Sequence, residues 1–187
     1  LEKFHEQYPH VRLRISNHST PQAIQALRSD IVDFAAVTTP LDIKSPLEKI
    51  PLASYREILI GGRKYKKLAE HTQKLEDIAS LPFISLDENS STRELYNSFF
   101  LEHGLSFAPD METATTDQML PLITHNLGIG FYPKKMAELA LTKGDVYQIP
   151  LEEKLPLRRI YLVTNGSTAK STAVRKMIKF IQEYHKI

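Results

Sequence analysis

The stretch PFISLDENSSTRE at residues 82–94 contains the local patterns that decide the fold class. Residues 82–86 form a short apolar run of the kind that makes a buried strand. A polar loop follows, and Ser91 with Glu94 three residues later has the capping-box pattern of a helix start. A strand that passes through a short loop into a helix is the repeating unit of α/β proteins.

The same alternation continues on both sides of this stretch. Residues 11–15 alternate apolar and polar side chains, which predicts a half-buried strand, and Thr20 with Pro21 predicts a helix start. Ser171 precedes an amphipathic closing helix. Further strands are predicted from apolar runs at residues 31–37, 55–60, 111–115, 129–132, 146–151 and 159–163. This order indicates an α/β protein with mainly parallel sheets.

Composition excludes several classes of function. The 187 residues include no Cys, so disulfides, cysteine metal sites and thiol nucleophiles are absent, as a reducing cytoplasm would allow. The 24 basic and 22 acidic residues leave no surplus for binding nucleic acid unaided, and no apolar run is long enough to span a membrane. The sequence has no HExxH, GxSxG or GxxxxGK[ST] motif, and its seven His residues lack metal-ligand spacing. We therefore expect a protein that is not an enzyme and that has no cofactor or metal.

Three polar loops each follow a predicted strand and open a predicted helix. The first helical turn has free backbone N–H groups and a partial positive charge, and in α/β sheets such loops gather where ligands bind. They therefore predict a site for a small polar or anionic metabolite. Ser, Thr and Asn are also the preferred helix caps, so a purely structural role stays open. The loops are residues 18–20, 89–92 and 115–117.

Two further features allow two interpretations each. Gly128 and Gly130 flank Ile129 in a pattern that suggests part of a dinucleotide-binding fingerprint but lacks its third Gly. The pattern predicts instead a tight turn, where Gly130 lets another backbone approach closely. Arg93, in the first turn of a predicted helix, suggests an anionic ligand, and a solvated side chain equally well.

Along nearly its whole length the chain resembles the effector-binding domain of LysR-type transcription regulators. His18 stands where that family usually has Gly. The chain begins inside the family's first helix, so the resemblance implies that the family's first strand and its helix-turn-helix lie outside this sequence. The similar segments, in order, are residues 1–13 (L..F...YP.V.L), 18–27 (G.T..L...L), 31–35 (LD.A), 51–60, 91–93 (S..R) and 127–133 (GLGI...P).

The resemblance implies two Rossmann-like lobes of the type II periplasmic-binding-protein fold with a cleft between them. Lobe I would comprise residues 1–55 and 163–187, and lobe II residues 56–162. The implied function is sensing of a small metabolite by a regulatory domain, and the alternative is a solute receptor of a transport system with the same fold. The implied effector contacts are His18, Ser19, Thr20, Thr38, Asn89, Ser90, Ser91, Thr92, Thr116, Gly130 and Phe131.

The resemblance also implies partners and location. A cytoplasmic homodimer or tetramer is expected, which contacts DNA only through the N-terminal helix-turn-helix and does not contact a membrane. In the family's antiparallel pairing, the contacting surfaces would be residues 1–8, 11–15 and 91–103.

Overall fold

A computed structural model describes residues 1–184, which form two compact units. Unit 1 combines Leu1–Ala53 with the chain from Arg159 onward, and unit 2 is Ser54–Arg158. The predicted lobe bounds have the chain cross between lobes near Tyr55 and near Val163, and this assignment of lobes stays a prediction. Residues 185–187 of the predicted lobe I, including His185, lie outside the described residues.

The chain alternates between helices and strands in both units. In chain order the elements are α1 (Glu2–Gln7), α2 (Thr20–Arg28), β1 (Phe34–Thr38), β2 (Leu47–Tyr55), β3 (Glu57–Gly62), a 3-10 helix (Arg63–Ala69), α3 (Leu75–Ile78), β4 (Ile84–Leu86), α4 (Ser91–Glu102), β5 (Met111–Thr113), α5 (Thr116–Thr124), β6 (Ile129–Pro133), α6 (Lys134–Lys143), β7 (Val146–Ile149), β8 (Arg158–Asn165) and α7 (Thr172–Tyr184).

Unit 1 is built on a three-stranded sheet in the order β1-β8-β2. β1 and β8 are antiparallel, with Val37 opposite Tyr161. Helix α2 covers this sheet because its apolar stripe, Ile24 and Leu27, is buried against Val37 and its neighbours. The C-terminal part of the chain therefore supplies the central strand of the unit 1 sheet.

The predicted strand at residues 11–15 is wrong. No described residue pairs with this segment, and the side chains of Leu13 and Ile15 are 40% and 73% exposed. Alternation of apolar and polar residues favours a strand only where a neighbouring backbone completes the hydrogen bonds and a surface covers the apolar face. Phe4 on α1, unlike Leu13 and Ile15, is buried, and its ring contacts the rings of Tyr8 and Phe180.

Unit 2 contains a sheet in the order β6-β3-β7 and a parallel pair, β4-β5. β3 is antiparallel to both of its neighbours, and in unit 1 β1 is antiparallel to β8, so the prediction of mainly parallel sheets is wrong. In unit 2 the reason is that β3 lies between β6 and β7, which follow one another through α6 and run in the same direction. A parallel bridge between Phe83 and Ile129 connects β4 to β6.

The two faces of the unit 2 sheets are both buried. One face packs against the aromatic residues of α4, with Phe131 in contact with Tyr96, Phe99 and Phe100. The other packs against α5 and α6. Burial on both faces explains the continuous apolar run of β3. No helix among residues 1–184 has the length and apolar character needed to cross a membrane.

Candidate functional site

The loop before α4 closes on itself through hydrogen bonds. The Ser90 hydroxyl donates to the Asp87 carbonyl (2.8 Å) and accepts from the Arg93 amide (3.1 Å). The Asp87 carboxylate accepts from the Asn89 amide at 3.0 Å. The N-cap is therefore Ser90, which is buried, one residue before the predicted cap. The predicted capping box of Ser91 with Glu94 is wrong, because the residue three positions after Ser90 is Arg93.

Ser91 and Thr92, the first two residues of α4, differ in their surroundings. Both are half-buried. The Ser91 hydroxyl has no hydrogen-bond partner among the described residues. The Thr92 hydroxyl accepts a hydrogen bond from Nη2 of Arg158 at 2.9 Å. Of the predicted contacts in this loop, Ser91 is thus the one whose hydroxyl stays available in full.

Arg158 is a central residue of this region that no sequence motif indicated. Its Nη1 lies 3.0 Å from both carboxylate oxygens of Glu57, and both side chains are almost fully buried. The Tyr96 hydroxyl hydrogen-bonds to Glu57, and the guanidinium carbon lies 5.6 Å from the centre of the Tyr55 ring. Glu57 and Arg158 are 101 positions apart, so no local pattern could have paired them.

Burial dominates the electrostatics of this cluster. It raises the pKa of Glu57 above the ordinary value, against the opposing effects of the Arg158 charge and of the hydrogen bond from Tyr96. Burial and the adjacent Glu57 charge also raise the pKa of Tyr96, which keeps its proton. The contact geometry of Glu57 and Arg158 is that of a buried ion pair, and the phenol beside it is neutral.

The structure excludes one of the two interpretations of Arg93. This side chain is buried and bonds the Glu112 carboxylate at 2.7 Å and the Asn97 side chain at 3.0 Å. Its guanidinium carbon lies 5.2 Å from the centre of the Phe107 ring. The interpretation as a solvated surface residue is wrong, and its charge is balanced by Glu112.

The loop before α5 lies beside the loop before α4, because β4 and β5 are adjacent parallel strands with Leu86 opposite Thr113. Thr115 is the N-cap of α5 and forms a capping box with Gln118. Thr116 is therefore the first helical residue, and its half-buried hydroxyl has no hydrogen-bond partner among residues 1–184. Two helix starts in unit 2 thus come together at one edge of the sheet.

Two predicted contacts lie inside β6. Phe131 is 2% exposed and belongs to the aromatic cluster under α4. A Cβ on Gly130 would lie 2.8 Å from the Ile84 carbonyl, so this position needs Gly for the close approach of β4. The packing around these two residues is that of the core. Nearby, burial and the Asp117 charge raise the pKa of Tyr132.

The predicted contacts of unit 1 gather at the end of β1. Ser19 caps α2 through a capping box with Gln22, one position before the predicted cap at Thr20. The Thr20 hydroxyl donates to the Thr38 carbonyl at 3.3 Å. His18 is exposed. Ser19, Thr20 and Thr38 therefore lie together within this unit.

A pocket of about 150 Å³ in unit 2 lies beside Glu57 and is lined by residues 56–59, 148–149, 151 and 153–155. None of the predicted effector contacts lines it. Among the described residues no cluster of three or more His, Asp or Glu side chains is arranged to bind a metal.

Relatives of known sequence and structure resemble the chain over most of its length. An uncharacterized HTH-type transcriptional regulator of Escherichia coli, YeiE, is 21% identical over 96% of this chain, and the chain spans 61% of that protein. The effector binding domain of QuiR in complex with shikimate is 22% identical, with a TM-score of 0.80 over 99% of this chain and 88% of that one. The Synechocystis CcmR regulatory domain in complex with 2-PG is 16% identical, with a TM-score of 0.81 and the same coverage.

These structures share the two-lobed, periplasmic-binding-protein-like fold, which confirms the predicted fold class. The sequence pattern described as the LysR substrate binding domain matches residues 1–186. With this match over almost every residue, the chain belongs to the LysR substrate binding domain family.

Proposed function

We propose that the chain is the effector-sensing domain of a LysR-type transcription regulator and binds a small polar or anionic metabolite. The carrying observation is the pair of adjacent helix starts in unit 2. There β4 and β5 deliver Ser91 and Thr116, whose hydroxyls are not used by any described residue. Helix starts favour anions because their first N–H groups and the helix dipole point at the ligand.

The proposed contacts keep the residues predicted from the sequence but rank them. In unit 2 we rank Ser91, Thr92 and Thr116 first, because they lie at the starts of helices that follow β4 and β5. In unit 1 we rank Thr20 and Thr38 first, because a hydrogen bond connects them. His18, Ser19 and Asn89 lie in the same loops. Ser90 is occupied by the cap, and the burial of Gly130 and Phe131 makes them supports of the site.

The ligand class draws on the relatives. Shikimate is bound to the QuiR domain and a bromide ion to the regulatory domain of HypT, and both of these ligands are anions. A ligand controls such a domain only through different affinities for its conformations.

The properties of the whole protein are proposals as well, since the chain spans about three-fifths of the E. coli relative's length. We propose a cytoplasmic, non-enzymatic regulator, a homodimer or tetramer, that contacts DNA through an N-terminal helix-turn-helix. The alternative, a transport receptor of the same fold, is disfavoured because the family pattern and the related sequences are those of regulators.

A thermal-shift screen tests the proposal. Small carboxylates, amino acids and phosphorylated metabolites would be added to the chain, and the melting temperature recorded. A ligand at 100 times its dissociation constant adds about 2.7 kcal/mol of stability. This corresponds to a shift of several degrees for a protein of this size. Absence of any shift across all three compound classes would remove the support for effector sensing.

A further inference from the structure

Thr92 connects the start of α4 to a buried ion pair within unit 2. Its hydroxyl oxygen accepts the 2.9 Å hydrogen bond from Nη2 of Arg158, while Nη1 of the same guanidinium contacts Glu57. Arg158 is the last residue of unit 2, and Glu57 is the fourth. Arg158, at one end of the unit 2 segment, thus contacts a residue near the other end of that segment and a residue at the start of α4.

The hydrogen bond also decides what the Thr92 hydroxyl can offer to a ligand. A hydroxyl has one proton to donate and lone pairs with which to accept. Arg158 can only donate, so it uses the acceptor side of Thr92 and leaves the proton for another group. A bond from a cation also polarises the O–H and strengthens it as a donor.

We infer that Arg158 is a positioning residue of the candidate site: it fixes the start of α4 through Thr92 and directs the Thr92 proton to hydrogen-bond acceptors. The effector atom at Thr92 is then an acceptor, such as a carboxylate or phosphate oxygen. A ligand that moves Thr92 also acts on the Glu57–Arg158 pair and so on both ends of the unit 2 segment. The ligand part of this inference rests on the proposed function, while the positioning part does not.

Amide hydrogen exchange of the ligand-free chain tests the positioning, so its outcome is independent of whether an effector is found. Thr92→Val keeps the branched shape and removes the acceptor oxygen. We expect faster exchange at two separate segments, residues 89–94 and residues 55–58 with 157–158, by about tenfold, as for a lost hydrogen bond to a charged group.

Two further variants complete the test. Thr92→Ser keeps the hydroxyl and should return both segments to within about twofold of the wild type. Thr142→Val is the matched control, since the Thr142 hydroxyl bonds only the Glu138 carbonyl on α6. It should leave both segments unchanged. Faster exchange at 89–94 alone, an even increase across unit 2, or no rescue by Thr92→Ser would each overturn the inference.

Discussion

The Arg158 guanidinium lies against both carboxylate oxygens of Glu57, 3.0 Å from each, and both side chains are almost fully buried. A buried ion pair offsets the large desolvation cost of each charge only while both partners are present. The pair therefore makes unit 2 sensitive to the loss of either partner and much less sensitive to the loss of both.

Single and double substitution of this pair should give opposite results. Glu57→Gln or Arg158→Met alone should lower the free energy of unfolding by about 3–5 kcal/mol, because one buried charge loses its partner. The double variant should recover most of that loss. Urea denaturation of the four proteins gives the coupling energy directly. Additive effects would show that the two side chains do not depend on each other.

The stability of the chain should depend on pH through Glu57. Its pKa in the folded state is raised by burial, so the folded state binds this proton more tightly than the unfolded state does. The contribution is fully present below the unfolded-state pKa of Glu and is lost as pH rises through the raised folded-state pKa. The free energy of unfolding of wild type minus that of Glu57→Gln should therefore fall over this window. A difference that rises with pH would mean that the Arg158 charge outweighs burial.

Adjacent serines at the start of α4 offer a matched comparison. Ser90→Ala should cost about 1 kcal/mol, because the Arg93 amide loses its cap. Ser91→Ala should change stability by less than about 0.5 kcal/mol, since this hydroxyl has no partner among the described residues. Thermal denaturation distinguishes them. Equal costs for both variants would contradict the assignment of Ser90 as the cap.

Substitutions in the three loops should weaken effector binding more than they change stability. Thr20→Val, Ser91→Ala and Thr116→Val each remove a hydroxyl that we expect to bond the effector, and each should lower affinity several-fold, as for a hydrogen bond of about 1 kcal/mol. Isothermal titration with the compound selected by the thermal-shift screen measures this. The controls are Ser171→Ala, a cap of α7, and Thr142→Val. Lower stability with unchanged affinity would assign the loops a capping role alone.

The chain should form a homodimer at micromolar concentration. The predicted surfaces, residues 1–8, 11–15 and 91–103, contain the exposed side chains of Leu1, Ile15 and Leu101. Such uncovered apolar groups favour association, and a two-fold pair closes on itself. Ile15→Asp or Leu101→Asp should give monomers in sedimentation, whereas Leu139→Asp on α6 should not. A wild-type monomer would refute the pairing.

Local patterns predicted the alternation of strands and helices well, because strand and helix periods can be recognised in neighbouring residues. The two-lobed fold was predicted from the family resemblance instead. The starts of α2 and α4 were predicted to within one residue, and the structure moves each cap back by one, to Ser19 and Ser90. Residues 11–15 failed because the pattern says nothing about whether another backbone lies beside it.

The site was only partly predictable, because a local pattern does not show which distant residues lie beside it. Hydroxyl-rich helix starts identified the loops, but only packing shows which hydroxyls are already used. No local sequence pattern could identify Arg158, because its partners Glu57 and Thr92 lie far away along the chain.

The strand order of unit 1 has a consequence for synthesis of the protein. β8 is the middle strand of that sheet, yet all but the last residue of unit 2 is made before it. During translation, β1 and β2 therefore lack their central strand until β8 has been synthesised. Unit 2 is a continuous segment with its own core, so it can fold before then. Unit 1 thus begins to be synthesised before unit 2 but is completed after it, and its strand edges stay exposed in the nascent protein until β8 leaves the ribosome.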